Sequence, residues 1–227
     1  MALFAISDLH LSFGTDKPMD VFGHRWEDYE NRLKTNWENI VSENDTVIMN
    51  GDNSWATYLE DTKADFDFIN KLPGKKILLK GNHDYWWSTI NKQRKFCEEM
   101  GFNTINFLQN QCFMCDDIAI CGTRGWQMTS GDEHDVKVYQ REIERLKLSL
   151  NDALKYRPKH IVCALHYPPD ENYKKVMEEF GVSVCLYGHL HGNSHKDISD
   201  AVENSITYSL VSCDYLNFVP KMITFIT

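Results

Sequence analysis

The sequence predicts an α/β fold. Two observations carry that reading. Short apolar runs alternate with amphipathic helical patterns, and each main run is followed at once by aspartate, asparagine or histidine. Such alternation gives largely parallel strands with helices crossing between them. The strand-like runs are Leu3 to Ser7, Thr46 to Asn50, Lys76 to Lys80, Ile161 to Leu165 and Ser183 to Tyr187. Trp26, Tyr29, Leu33, Trp37 and Ile40 recur at helical spacing and predict a helix from Trp26 to Ile40. Further helices are expected over Leu59 to Leu72 before Pro73-Gly74, from Ser88 as N-cap to near Gly101, over Val136 to Leu154, and over Asn172 to Phe180 before Gly181. Two stretches read as strand pairs: Ile105 to Thr123, split by Asp116-Asp117, and Ile206 to Phe225, split near Asn217 and Pro220. A mixed sheet, or two sheets packed face to face under helices, fits this order. No repeat or linker interrupts it, so residues 1–227 read as a single domain.

Composition narrows the function. A chain of 227 residues with 42% hydrophobic and 25% charged residues is ordinary for one globular core. Its net charge of −9 argues against gripping long duplex nucleic acid through a general positive field. It leaves room for an enzyme that takes phosphate, because bound metals supply positive charge locally. The run Met1 to Ile6 is too short for a signal segment, and no stretch approaches the ~20 apolar residues of a spanning helix. Seven cysteines, an odd number without an export signal, read as reduced thiols. The expected location is therefore cytoplasmic, with no membrane partner.

The chemistry lies at the strand ends. They carry Asp8-Leu9-His10, Gly51-Asp52-Asn53, Gly81-Asn82-His83-Asp84, His166, and Gly188-His189-Leu190-His191. In open α/β sheets ligands bind beyond the carboxyl ends of the strands, so these groups should converge. Gly51, Gly81 and Gly188 stand at sharp strand exits, where close backbone approach or positive φ favours glycine. The donors are carboxylates, imidazoles and one amide oxygen, with no thiolate, a set that suits Mn, Fe or Zn better than Ca or Mg. Seven candidates (Asp8, His10, Asp52, Asn82, His166, His189 and His191) are too many for one ion and fit two that share a carboxylate. Two ions ~3.5–4 Å apart activate a bridging hydroxide and stabilise both oxygens of an in-line displacement. His83 stands beside a ligand position, so its ring can address substrate. Asp84 after it would fix its tautomer and raise its pKa for proton donation.

These motifs in this order, from Asp8 to His191, resemble the calcineurin-like metallophosphoesterase family. The resemblance implies a four-layer α/β/β/α sandwich with two mixed β-sheets and a dinuclear centre at the top. It implies that Asp8, His10 and His191 hold one metal, that Asn82, His166 and His189 hold the other, and that Asp52 bridges. It makes His83 the catalytic histidine, hydrogen-bonded and oriented by Asp84. The family's second motif often continues with another acidic or amide residue. Here it reads Gly51-Asp52-Asn53-Ser54-Trp55, and only Asp52 is assigned. The segments Asp8 to Ser12, Lys17 to Gly23, Gly122 to Trp126 and His166 to Pro169 resemble a bacterial branch of predicted phosphohydrolases.

The expected activity is hydrolysis of a phosphomonoester or phosphodiester, on a small molecule or a protein, with His83 assisting the leaving group. The rivals are a catalytically silent scaffold and a phosphodiesterase for nucleotides or short oligonucleotides. Oligomeric state leaves no mark. Other residues carry two readings each. Arg124 in its glycine-flanked turn is a phosphate clamp or a surface ion pair. Tyr85-Trp86-Trp87 stacks a substrate ring or packs a helix. His24 reaches substrate or solvent, and His195 reads as a loop residue apart from the ligands. Cys112 and Cys115 read as core, and the charges of Val136 to Leu154 as a solvated face. Ser12 to Arg25 and Trp126 to Val136 are the only sizeable lid segments, so the site should be open.

Overall fold

The computed structural model describes residues 1–225. The strands are β1 (Leu3–Ile6), β2 (Thr46–Met49), β3 (Lys75–Leu78), β4 (Ile105–Phe107), β5 (Phe113–Cys115), β6 (Ile118–Thr123), β7 (His160–Leu165), β8 (Val184–Tyr187), β9 (Ala201–Glu203), β10 (Ile206–Leu210) and β11 (Lys221–Met222). The α-helices are α1 (Tyr29–Ile40), α2 (Lys63–Lys71), α3 (Ile90–Met100), α4 (Glu133–Leu154) and α5 (Glu171–Glu179). One sheet has the order β11-β1-β2-β3-β4, the other β5-β6-β7-β8-β10-β9. The central pairs are parallel, while β11, β5 and β9 pair antiparallel at the edges.

Side-chain alternation along the strands builds four layers. Leu3 and Ala5 of β1 face the second sheet and meet a cluster with Ile48, Ile77, Ile120, Val162 and Leu186. Phe4 and Ile6 face the other way, into a cluster with Leu33 and Trp37 of α1, Phe66 and Ile69 of α2, and Phe96 of α3. The outer face of the second sheet packs Cys121, Cys163 and Cys185 against Leu146 and Leu150 of α4 and Tyr173 and Met177 of α5. Strands buried on both faces lose the polar alternation of a surface sheet, which is why these runs are apolar throughout. The architecture is the four-layer sandwich with two mixed sheets. Trp37 and Phe66 are fully buried, and truncating either to alanine costs roughly 3–5 kcal/mol.

Several local expectations change. Ile105 to Thr123 is not one strand pair: β4 joins the first sheet, and only β5 and β6 form the hairpin across Asp116-Asp117. Likewise β10 and β11 lie in different sheets. Trp26 ends a short 3-10 turn, His24–Trp26, and α1 starts only after Asp28, whose φ of 49° breaks the helix. Thr89, not Ser88, precedes α3. The face of α4 is not wholly solvated, because Glu142 is buried. All seven cysteines are free thiols, and Cys115 sits in the core between the sheets. No helix among the described residues is long and apolar enough to cross a membrane.

Candidate metal centre

The strand ends turn sharply. Asp8, His10, Asp52 and His189 have φ of 62°, 47°, 52° and 70°. Non-glycine residues seldom adopt this left-handed region, and those that do concentrate at functional sites. The turns hold one another: Asp8 N donates to Gly51 O at 2.9 Å and His10 N to Asp52 O at 2.9 Å. Two glycines allow the close approach. A Cβ on Gly81 would lie 2.0 Å from Asp52 Oδ1, and one on Gly188 would lie 2.5 Å from Asp8 Oδ2.

All seven candidate ligands come together. Asp8, His10 and His191 offer donor atoms within 4.8 Å of one another, as do Asp8, Asp52 and His166. Asp8 Oδ1 lies 3.4 Å from His191 Nε2. Asn82 Oδ1 lies 2.7 Å from His166 Nε2 and 3.0 Å from His189 Nδ1. Asp52 Oδ2 is 3.4 Å from His166 Nε2 and 3.8 Å from His10 Nε2, so one oxygen faces both groups.

The imidazoles are aimed from behind. His166 Nδ1 meets the Asn50 carbonyl at 3.0 Å, and His191 Nδ1 meets Asp214 Oδ1 at 2.9 Å, which turns each Nε2 inward. Metal-binding histidines are commonly braced by such carbonyl or carboxylate partners. Sequence reasoning missed both braces. Asp214 had a readable signal, since it follows β10 as one more aspartate at a strand end.

Electrostatics favour a cation here. Burial opposes ionisation of Asp8, but the nearby His191 and His166 rings hold it at about 2. Asp52 is held down by His166 and His10 despite its burial. Burial likewise disfavours charge on His166, yet Asp52 and Asp8 lift it to about 9. At His191 burial is again outweighed, and Asp214 and Asp8 raise it to about 10. Burial lowers His10 to about 4. Two buried carboxylates thus draw protons onto their neighbours when no metal is present. The buried atoms His10 Nδ1 and His191 Nε2 have no hydrogen-bond partner among the described residues.

The expected role of Asp84 is corrected. Its oxygens do not reach the His83 ring. They accept from the backbone N–H of Gly81, Asp52, Asn53 and Ser54, from Asn53 Nδ2 and from Trp86 Nε1. Asp84 points back into the loop because those N–H groups, turned inward by the tight Asp52 turn, need an acceptor. His83 N donates to Asp52 Oδ1 at 2.8 Å, while its ring Nδ1 has no partner among the described residues. That ring lies 4.6 Å from Trp55 and 5.7 Å from His10, beside a cavity of about 350 Å³ that Trp26 and His191 also line.

The remaining candidates separate. Trp86 is buried edge-on to Phe66 and packs a helix, whereas Tyr85 is exposed. The His24 side chain is solvent-exposed beside Glu27. His195 lies in a 3-10 turn and meets Asp214 at 3.0 Å, away from the ligand cluster. Arg124 is mostly buried, 3.9 Å from Glu142.

A family model described as calcineurin-like phosphoesterase matches residues 1–193. No curated protein matches the sequence. Among solved structures, a protein of unknown function from Aquifex aeolicus is similar over 97% of this chain and 95% of its own, at 17% identity and a TM-score of 0.53. The protein TT1561 of Thermus thermophilus is similar over 91% of this chain and 86% of its own, at 11% identity and a TM-score of 0.54. The sulfate thiohydrolase SoxB of Thermus thermophilus, in complex with glycerol, aligns with 94% of this chain, which spans 52% of SoxB, at 11% identity and a TM-score of 0.51. At these identities the likeness is one of fold.

Proposed function

The chain belongs to the calcineurin-like phosphoesterase family, and from that premise we propose that it hydrolyses a phosphomonoester or phosphodiester with two metal ions. The observation that carries this reading is Asp52, whose Oδ2 faces a ligand group on either side.

The donor set fits the metals. Imidazoles surround two buried carboxylates, and the unpartnered His191 Nε2 lies 3.4 Å from Asp8 Oδ1. Asp8, His10 and His191 would hold one ion, Asn82, His166 and His189 the other, with Asp52 between them. Such ions would be Mn, Fe or Zn, and would supply Lewis acidity toward the phosphoryl oxygens and acidify water.

The chain's own residues do the rest. Asp84 fixes the loop that carries Asp52, and Asp214 and the Asn50 carbonyl fix the rings of His191 and His166. The His83 ring lines the cavity, its Nδ1 buried and without a hydrogen-bond partner among the described residues, and we read the ring as the group that gives a proton to the departing oxygen. Trp55 packs against that ring at 4.6 Å, tilted by 53°, where a carboxylate was expected. The open rim suits a small molecule or a protein segment as substrate, and the acidic chain disfavours a long duplex. The catalytic work is read as cytoplasmic.

The test is an assay of an aryl phosphodiester beside the matching monoester with added Mn, with Asp52→Asn and His83→Ala in parallel. Metal-dependent turnover that collapses in Asp52→Asn is expected. No turnover of either ester by protein that holds two ions would sink the proposal.

A further inference from the structure

A second cavity, lined by none of the seven candidate ligands, is not used by the function above. It measures about 290 Å³, against ~30 Å³ for a water in the liquid. Lys80, Arg124, Arg141 and Arg145 line it, with Glu142 as its one carboxylate. Glu142 is buried and already satisfied: it accepts from Thr123 Oγ1 at 2.6 Å and from Arg145 Nη1 at 2.6 Å. Arg124 and Arg141 stand farther off, each 3.9 Å from the same carboxylate. Lys80 has no ion pair of its own among the described residues, and the buried Nε of Arg124 has no hydrogen-bond partner there. In a chain of net charge −9, four cations share one carboxylate. Like charges gathered without compensation cost free energy, so such a cluster calls for an anion.

The walls suit an oxyanion. Ser88, Thr89 and Asn110 add polar groups, and Trp87 closes one side. Arg124 is held in place by the Trp126 ring, 4.7 Å from its guanidinium, whose planar fork of donors matches an oxyanion. The cavity is joined to the metal centre through the backbone. Lys80 precedes Asn82 by two residues, and the Arg124 carbonyl accepts from His166 N at 3.0 Å.

We propose that this cavity is a second oxyanion site, which binds a phosphoryl group other than the one attacked at the metal centre. The group belongs either to a doubly phosphorylated substrate or to free phosphate. The chemistry is the same in both cases, and the assignment does not depend on the metal reading.

The full chain, loaded with Mn, is titrated with inorganic phosphate by calorimetry, then titrated again after chelation. Binding of one phosphate should survive chelation. Lys80→Gln and Arg141→Gln should each weaken that remaining site at least tenfold, and Arg141→Lys should restore part of the loss. These two positions leave the Arg145–Glu142 pair intact, so the fold is spared an unpaired buried charge. Absence of saturable binding after chelation, or unchanged affinity in both glutamine variants while they remain folded, overturns the proposal. Phosphate binding that survives chelation with no metal-dependent class supports it and counts against the dinuclear reading instead. A kinetic arm then names the source. If KM for a diphosphorylated aryl substrate is lower than for the monophosphorylated one, and the gap closes in Arg141→Gln, the group is the substrate's. If KM is equal and added phosphate changes the rate through the same residue, it is free phosphate.

Discussion

Two buried carboxylates brace the candidate metal centre, and they brace it differently. Asp84 stands behind the first sheet and holds backbone: four N–H groups and two side-chain donors converge on it. Asp214 stands behind the second sheet and holds rings: it meets His191 and His195 and accepts from Gly192 N at 3.0 Å. Their acidities part accordingly. Burial and the nearby Asp52 charge push Asp84 up to about 6. At Asp214 burial is outweighed by the His191 hydrogen bond, which holds it at about 2. The first half of the site is thus mainly a problem of loop shape, because Asp8, His10 and Asp52 all sit on left-handed turns, whereas in the second half His189 does. The second is a problem of ring orientation, because its histidines can rotate.

The contrast can be broken in order of expected effect. Asp84→Ala should strand several buried N–H groups at once and destabilise the fold by roughly 3–5 kcal/mol, read by chemical denaturation. A loss under about 1 kcal/mol would show that the loop keeps its shape unaided. Asp214→Asn should leave stability much closer to the parent but weaken metal binding about 10–100-fold, measured by metal titration. Unchanged affinity would mean that His191 needs no brace. Gly81→Ala would set its Cβ 2.0 Å from Asp52 Oδ1 and 2.2 Å from Asp52 N, so carboxylate and loop must both shift, and metal affinity should fall with little change in helix content. Retained affinity would show that Asp52 keeps its place despite the added methyl.

The smallest effect concerns Asp65, which supports the first half from farther back by accepting from Phe13 N at 2.8 Å and from Ser54 Oγ. Burial raises its carboxyl to about 6. A raised carboxyl pKa favours the fold while the group is neutral. That contribution is full below about pH 4 and fades as pH rises through about 6. Asp65→Asn should therefore gain on the parent by on the order of 2–3 kcal/mol between about pH 4 and pH 7. A pH-independent difference in melting would refute the assignment.

The convergence of the seven candidate positions was legible because each follows an apolar run closely, and the sheet geometry then brings them together. The apolar runs of β1 and β2 left a single mixed sheet or two packed sheets open, and the four layers came only from the family resemblance. What escaped was anything set by side-chain direction. Asp84 follows His83 in sequence, and adjacency alone pairs them. The structure turns Asp84 inward because the Asp52 turn leaves unsatisfied N–H groups there. Glu142 looked like one charge on a solvated helix, and only the packing of α4 on β6 buries it. The two short strands β4 and β11 were assigned to wrong partners because pairing across sheets leaves no local trace.

The hydrogen bonds to Asp8 also set an order of assembly. Ser212 Oγ donates to Asp8 Oδ2 across 204 positions of the chain, and His189 N donates to it across 181. Asp8, His10, Asp52 and Asn82 all precede His166, His189 and His191 in the chain, so His10 is the one imidazole of the cluster made before residue 166. At ~5–20 residues per second, synthesis from Asn82 to His166 takes several seconds. The cluster is therefore complete only after the segment ending at Asp214 has been made.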